Sequence, residues 1–132
     1  MRDPRAYILW AFGRRGLGFR PFRFRETVIT SRSPQDHAEY ASALRYLVET
    51  AGRVLLTGPV GPDGDSIGAC LALARGIAHI CATPVDVAGA ISYRYSQLPG
   101  ADEVLPDETV RPVYDVVVIL DGDRHRLEPE VE

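Results

Sequence analysis

The sequence predicts an α/β fold in which a parallel sheet is flanked by helices. Stretches with apolar residues at helical spacing alternate with short apolar runs, in the order α-β-α-β-loop-β. The runs are almost continuously apolar, which is typical of strands buried on both faces, and helices that alternate with strands favour parallel pairing. The chain has 132 residues, of which 45% are hydrophobic and 25% charged, so its size and composition are those of one globular domain.

The first helix is expected to begin after Ser33. Ser33 and Asp36 have the order of a capping box, and Pro34 suits the first helical position. Apolar residues recur at helical spacing from there to Gly52, which is placed where a helix ends. The elements predicted after it are strands at 53–57, 83–88 and 113–120, a helix over 66–81, and a loop or short helix within 93–106.

Residues 1–32 differ in composition from residues 33–132. The first segment holds eight arginines against two acids, a net charge of +6, whereas the second holds seven arginines against sixteen acids, a net charge of −9. No helical or strand period persists through the glycines of 1–32, so this segment is predicted to be a disordered basic arm. Its arginines alternate with aromatic residues, which can grip phosphates and stack on bases, so nucleic-acid binding through the arm is one hypothesis.

The basic residues exclude several kinds of chemistry. All 15 are arginines, and the chain contains no lysine. A P-loop NTPase site, a Schiff-base enzyme and a covalent ligase each need a lysine. The spacing of the glycines between 58 and 68 also differs from that of a dinucleotide-binding fingerprint.

The spacing of the cysteines and the lengths of the apolar runs indicate in which cellular compartment the protein lies. Cys70 and Cys81 lie three turns apart on one predicted helix, about 16 Å, which is too far for a disulfide. Free thiols indicate a reducing compartment, and the sequence predicts a cytoplasmic protein. The apolar runs, such as Val116–Leu120, are far shorter than the roughly 18 residues of a membrane span, so no membrane association is expected.

Two acidic clusters follow two of the predicted strands. Asp63-Gly64-Asp65 comes after 53–57, and Asp121-Gly122-Asp123 comes after 113–120. Ligands of open α/β sheets bind at the carboxyl ends of strands, and oxygen-rich clusters suit Mg²⁺ or Mn²⁺. These residues are also common in turns and helix caps, which is the alternative interpretation of each cluster.

Three segments of the chain resemble the DHH phosphoesterases. Residues 53–77 (RVLLTGPVGPDGDSIGACLALARGI) are similar to the first motif, a strand followed by His-x-x-Pro-Asp-Gly-Asp and a helix. Residues 115–127 (DVVVILDGDRHRL) resemble the second motif, and 91–106 the stretch that links the two through a Leu-Pro-Gly turn. The resemblance covers about residues 35–128 and implies the amino-terminal part of a DHH domain, with a Rossmann-like three-layer architecture.

The resemblance implies metal-dependent hydrolysis of phosphodiesters or phosphomonoesters. Relatives of this kind act on nucleotides or short oligonucleotides, usually with Mn²⁺, and Mg²⁺ is the other candidate. Carried over to this sequence, Asp63 and Asp65 would each ligate one metal ion and Asp121 would bridge the pair. Two-metal sites of this type generate hydroxide and neutralise charge on the phosphoryl oxygens.

The sequence departs from the DHH pattern at several points. Pro59 occupies the position of the first-motif histidine, and neither the Asp-His-His motif nor the fourth-motif aspartate has a counterpart. Three carboxylates are enough for one weakly held cation, so no catalytic residue is assigned and the chain is expected to be a truncated, inactive piece of such an enzyme. Pro59 also favours the alternative, a non-catalytic nucleotide- or protein-binding module with a degenerate metal site.

The last predicted strand raises the question of a protein partner. In a chain of this length, the strand within 113–120 is expected to lack a neighbour on one side. An unpaired strand edge invites association with another chain. A homo-oligomer or a second chain that covers the sheet edge is therefore expected.

Overall fold

A computed structural model describes residues 6–11, 24–29, 34–59, 61–110 and 114–121 of the chain. They form five strands and two α-helices, together with three short 3-10 helices. The strands are β1 (Ala6–Ala11), β2 (Phe24–Ile29), β3 (Val54–Thr57), β4 (Val85–Ala88) and β5 (Val116–Ile119). The helices are α1 (Pro34–Thr50) and α2 (Gly64–Ile80), and the 3-10 helices are Tyr93–Tyr95, Ala101–Glu103 and Asp107–Thr109.

The five strands form one sheet in the order β2-β1-β5-β3-β4. Strands β5, β3 and β4 are parallel, and β3 lies between the other two. Strand β1 runs antiparallel to β5, and β2 antiparallel to β1. The parallel part is the predicted one: β3, β4 and β5 lie within the segments assigned from the sequence, and α2 begins two residues before its assigned segment.

The core lies between the parallel strands and the two helices. Leu56 in β3 is fully buried, as are Ile67 and Cys70 on α2, and Val48 on α1 is 1% exposed. The opposite face of the sheet carries a smaller cluster around Leu55 and Ile119. That face is covered, within the described residues, by Leu105, Val110 and Tyr114 rather than by an α-helix. The α/β class with a parallel sheet and packed helices is therefore confirmed.

Strands β1 and β2 differ from the disordered arm expected for residues 1–32. Both strands consist largely of β-branched, aromatic and aliphatic residues, AYILWA and FRETVI, which have high strand propensity. Their hydrogen-bond partners lie far away in the sequence, since Tyr7 pairs with Ile119 and Ala6 with Ile29. Local periodicity does not report such pairing, so the prediction of disorder was wrong for these two segments.

The edge of β5 was predicted to be unpaired, and that prediction was also wrong. Strand β1 pairs with β5 from Tyr7↔Ile119 to Trp10↔Val116, so the same chain supplies the missing neighbour. This pairing removes the reason given for a second chain at that edge. Association with another chain stays a prediction.

Asp115 fixes the start of β5 against the start of β3. Its Oδ2 accepts hydrogen bonds from the backbone N–H of Gly52 at 2.8 Å and of Arg53 at 3.2 Å. The backbone N–H of Asp115 in turn donates to the carbonyl of Arg53 at 3.0 Å. These contacts hold the two strands in register, and register at one end determines which residues meet at the other end.

Both cysteines are free thiols, as predicted. Burial raises the pKa of the Cys70 thiol to about 11, whereas Cys81 is partly exposed and its Sγ donates to the Ile77 carbonyl at 3.4 Å. Among the described residues, no helix has both the length and the apolar character needed to cross a bilayer.

The Cys70 thiol is expected to make the folded state less stable in alkali. The folded pKa is raised, so the native state keeps this proton while the unfolded state loses it near pH 9. The contribution is complete below the unfolded pKa and is lost as the pH rises from about 9 to about 11. Urea unfolding at a series of pH values should show this decline, and Cys70→Ala should reduce it. An identical decline in the variant would contradict the assignment.

Candidate functional site

The candidate site lies where the strand order reverses. Strand β3 is the first parallel strand in the chain, and the next two lie on its opposite sides, β4 on one and β5 on the other. In open α/β sheets, ligands bind at this switch point, outside the carboxyl ends of the two strands that diverge there. Asp63 follows β3 and Asp121 follows β5, so the topology brings both predicted clusters to this position.

Asp63 is the N-cap of α2. Its Oδ1 accepts from the backbone N–H of Ser66 at 2.9 Å, which satisfies one of the amide groups left free at a helix start. The Ser66 backbone N–H and then the Ser66 hydroxyl lower the pKa of the Asp63 carboxyl. The capping interpretation of this residue is therefore confirmed, and it leaves Asp63 exposed and negatively charged at the switch point.

Ser66 connects the two clusters. Its Oγ lies 3.0 Å from Asp63 Oδ1 and 3.1 Å from Asp121 Oδ2, in the geometry of a donor to both carboxylates. The Ser66 side chain is buried, with 1% exposed, whereas both aspartates are exposed. A buried hydroxyl therefore lies beneath a pair of surface carboxylates that come from two different strand ends.

Asp121 has a left-handed backbone. Its φ is 57°, and it is the one described residue other than glycine with a positive φ. Aspartate tolerates this region better than most residues, although it still carries some strain there, and such strain is concentrated at functional sites. This conformation turns the chain directly after β5, at the point where the side chain reaches Ser66.

Gly58 allows the start of α2 to approach the end of β5. A Cβ at this position would lie 3.1 Å from the Ser66 Cβ and 3.6 Å from the Leu120 carbonyl oxygen. A side chain at position 58 would therefore force Ser66 or the chain at position 58 to shift by a few tenths of an ångström. Pro59, which follows, offers no side-chain ligand atom.

Asp65 does not join the other two carboxylates. It lies exposed in the first turn of α2, where negative charge is favoured by the helix dipole. Within the described ranges, no three His, Cys, Asp or Glu side chains form a group that could hold a metal ion. Asp63, Asp121 and the Ser66 hydroxyl present hard oxygen donors, the kind that Mn²⁺ and Mg²⁺ prefer. Asp123 lies outside the described residues, as does the Ser33 cap.

Two contacts at this site were not predicted from the sequence. The spacing placed Ser66 at a helix start, but not against Asp121, because that contact depends on the order of strands in the sheet. Tyr95 was not predicted to belong to the site, yet its ring lies so close to Gly64 that a Cβ at position 64 would be 2.9 Å from Tyr95 Cε1. The Asp-x-x-Ser spacing was the one local signal, since a cap residue commonly bonds to the third residue of its helix.

The nucleic-acid hypothesis concerns residues 1–32, of which the structure describes 6–11 and 24–29. Residues 12–23 lie outside the described residues, but Ala11 and Phe24, which flank them, pair at the edge where β5 begins. Asp121 lies at the edge where β5 ends. Deletion of residues 1–32 would also remove β1 and β2, so substitution of the arginines within 12–23 is the cleaner test of RNA binding.

The chain matches no model of a known protein family, and no curated protein gives a significant match.

Asp63 gives a direct test of the cap. Asp63→Ala is expected to lower the free energy of unfolding by about 1 kcal/mol, because the Ser66 amide loses its acceptor. Asp63→Asn keeps an acceptor and should cost much less. Because the pKa of Asp63 is lowered in the folded state, its ionised carboxylate stabilises the fold at pH values above the unfolded pKa. This stabilisation is lost as the pH falls through the folded pKa. Urea unfolding at pH 7 and in acid measures both effects, and equal losses for the two variants would argue against the cap.

Proposed function

We propose that this domain is a DHH-like phosphoesterase domain that binds one divalent cation, Mn²⁺ or Mg²⁺, next to the phosphate of a nucleotide or short oligonucleotide. The observation that carries the proposal is the convergence of Asp63 and Asp121 on one buried hydroxyl at the switch point of the sheet. This is the position at which α/β sheets bind ligands, and two carboxylates with a hydroxyl are ligands that these cations prefer.

The residues have separate tasks in this proposal. Asp63 and Asp121 supply the negative charge that attracts the cation, and the start of α2 keeps Asp63 ionised by donating to it. When bound, the cation would polarise a phosphoryl oxygen and lower the pKa of a water molecule. Asp65 adds negative charge at the edge of the site without joining the two carboxylates.

The proposal includes weak or absent turnover by this chain alone. Pro59 cannot supply a ligand, and the described residues hold too few donors for the second metal ion of a two-metal mechanism. We therefore expect cation binding without efficient hydrolysis. Two free thiols support a reducing, cytoplasmic location as part of the same proposal.

The experiment is a manganese titration by calorimetry on the whole chain and on three matched variants. Asp63→Asn and Asp121→Asn remove one carboxylate each while they keep size and hydrogen-bonding capacity, and Asp65→Asn is the control. We expect one bound cation for the parent chain, at least ten-fold weaker binding for the first two variants, and a change of less than about three-fold for the control. Comparable losses in all three would indicate a diffuse effect of charge and would contradict the site.

A second assay distinguishes the enzyme from the binding module. Release of nucleotides from a short RNA in Mn²⁺ measures hydrolysis, and binding of the same RNA in Mn²⁺ or in chelator measures recognition. Slow or absent release with cation-dependent binding supports the proposal. RNA binding that is equal in chelator favours the alternative, a non-catalytic nucleotide-binding module, for which Pro59 is the supporting observation. Rapid hydrolysis by the chain alone would contradict the expected inactivity.

A further inference from the structure

We infer that the outer edge of β4 binds a short extended peptide in which basic and apolar residues alternate. The inference involves none of the carboxylates of the proposed cation site and does not depend on the proposed function. Strand β4 is the last strand on its side of the sheet. A strand edge of this kind pairs with an extended segment through main-chain hydrogen bonds.

The outer edge of β4 already carries one added residue of this chain. The Pro84 carbonyl accepts from β3 at 2.9 Å, so alternate residues from 84 onward face β3, while Val85 and Val87 face away from it. Leu105 pairs with the carboxyl end of this edge. Its N–H donates to the Val87 carbonyl at 2.8 Å, and its carbonyl accepts from the Gly89 N–H at 3.0 Å. The edge therefore accepts an added strand, and that strand runs parallel to β4.

This pairing stops before it reaches the amino half of β4. To continue it, Glu103 would have to donate to the Val85 carbonyl and accept from the Val87 N–H. Instead, the Glu103 N–H donates to the Gly100 carbonyl at 3.0 Å, within the 3-10 helix Ala101–Glu103. The Val85 carbonyl and the Val87 N–H consequently have no partner among the described residues, although Val87 is only 6% exposed. Unpaired backbone groups at a buried position are rare, and they favour an incoming chain that bonds to both.

A groove of about 300 Å³ lies where the added strand would continue. Apolar side chains of α2 and β4 supply much of its lining: Leu71, Ala74, Ala78, Val85 and Val87. Edge strands are commonly protected by a charged side chain, a proline or a bulge. The one charge of β4 is Asp86, whose carboxylate is held at 2.8 Å by both Arg53 and the Tyr114 hydroxyl. The groove therefore offers apolar surface beside open backbone groups, at an edge that its own charge does not block.

Charge favours a basic occupant. Residues 101–110, which run from the groove to Leu105 and beyond, contain no basic residue and four acids: Asp102, Glu103, Asp107 and Glu108. Glu103 is exposed at the groove, whereas the guanidinium of Arg75, which also lines it, lies against Gly100. A second copy of this chain would bring a second set of the same acids to the edge. Since like charges across an interface repel, the charges favour a basic peptide of another protein over self-association.

The test uses the whole chain and three capped octapeptides that carry a fluorescent label. The first alternates arginine and valine, the second has proline in place of its two central residues, and the third has glutamate in place of arginine. Fluorescence anisotropy in chelator measures their affinities. We expect the first peptide to bind at least about ten-fold more tightly than the others, because proline lacks the N–H for the Val85 carbonyl and glutamate is repelled by the acids.

Two pairs of variants locate the peptide. Ala78→Trp fills the groove, and Ala72→Trp places the same ring at an exposed position of α2 outside the lining. Glu103→Arg reverses a charge at the groove, and Glu39→Arg makes the same change on α1. We expect the first variant of each pair to weaken binding of the arginine–valine peptide about five-fold or more, and its control to stay within about two-fold of the parent chain.

Amide hydrogen exchange reports on the strand pairing itself. Saturating arginine–valine peptide should slow exchange at Val87 about ten-fold or more, and leave Gly89, whose N–H already donates to Leu105, nearly unchanged. Binding without slower exchange at Val87 would overturn the inference, as would equal affinities for the three peptides or equal losses within either variant pair. Sedimentation of the chain alone is measured in parallel. A dimer in which Val87 is already protected would place a second copy at this edge and would overturn the peptide as its occupant.

Discussion

Leu56→Ala is expected to lower the free energy of unfolding by about 2–5 kcal/mol. Leu56 is fully buried in β3, the strand between the two parallel neighbours, and it faces the helices. Removal of its branched side chain forfeits the burial of several carbon atoms and leaves a cavity among Ile67, Val87 and Val118 that close packing prevents from collapsing. A domain of this size has a total stability of about 5–15 kcal/mol, so this one change could consume much of it.

Urea unfolding followed by circular dichroism measures the loss. The control is Ile80→Ala, because Ile80 is 51% exposed at the end of α2 and loses little burial on truncation. We expect the control to shift the unfolding free energy by less than about 1 kcal/mol. Equal effects of the two substitutions would contradict the burial of β3 between β5 and β4.

The parallel half of the fold could be predicted from the sequence because its signals are local. The helix from Pro34 to Thr50 carries apolar residues at helical spacing, and β5 is a run of four apolar residues. In each case, the apolar residues that indicate the element lie within a few positions of one another, so a short window of sequence shows it. The alternation of these elements then limits the sheet to parallel pairing.

The antiparallel half could not be predicted in the same way. Strand β1 is stabilised by pairing with β5, more than 100 residues later in the chain, and glycines and arginines follow it directly. Nothing within a short window of sequence reports such a partner. The local pattern therefore predicted an arm without regular structure, whereas pairing with the distant strand β5 makes β1 a strand.

The candidate site could also be predicted from the sequence only in part. Its acidic residues and the capping role of Asp63 were visible as local spacing, since a cap and its helix are neighbours in sequence. Its geometry was not visible, because the Ser66–Asp121 contact joins residues 55 positions apart and exists only when β5 lies beside β3. Asp65, in contrast, has the spacing expected of a metal ligand in the sequence but does not join the other two carboxylates in the structure.

Gly64→Ala is expected to destabilise the protein by about 1–3 kcal/mol, although alanine is normally the better residue in a helix. The ring of Tyr95 lies against Gly64, and a new Cβ would be 2.9 Å from Tyr95 Cε1 and 3.2 Å from Cδ1, so the ring or the first turn of α2 must move. Gly68→Ala on the same helix is the control. A Cβ at position 68 meets no atom within 4 Å, so this change should be neutral or stabilise by up to about 1 kcal/mol.

A double-mutant cycle attributes the loss to the ring. In a Tyr95→Ala background the obstacle is gone, so Gly64→Ala should become neutral or stabilising, with a coupling energy of about 1–3 kcal/mol. The same cycle reports on the cation site, because Gly64 stands between Asp63 and Asp65 and any movement of this turn shifts Asp63 relative to Asp121. Mn²⁺ affinity should therefore fall in Gly64→Ala and recover in the double variant. Stabilisation by Gly64→Ala in the parent chain would show that Tyr95 does not pack there, and the glycine between the two aspartates would then need another explanation.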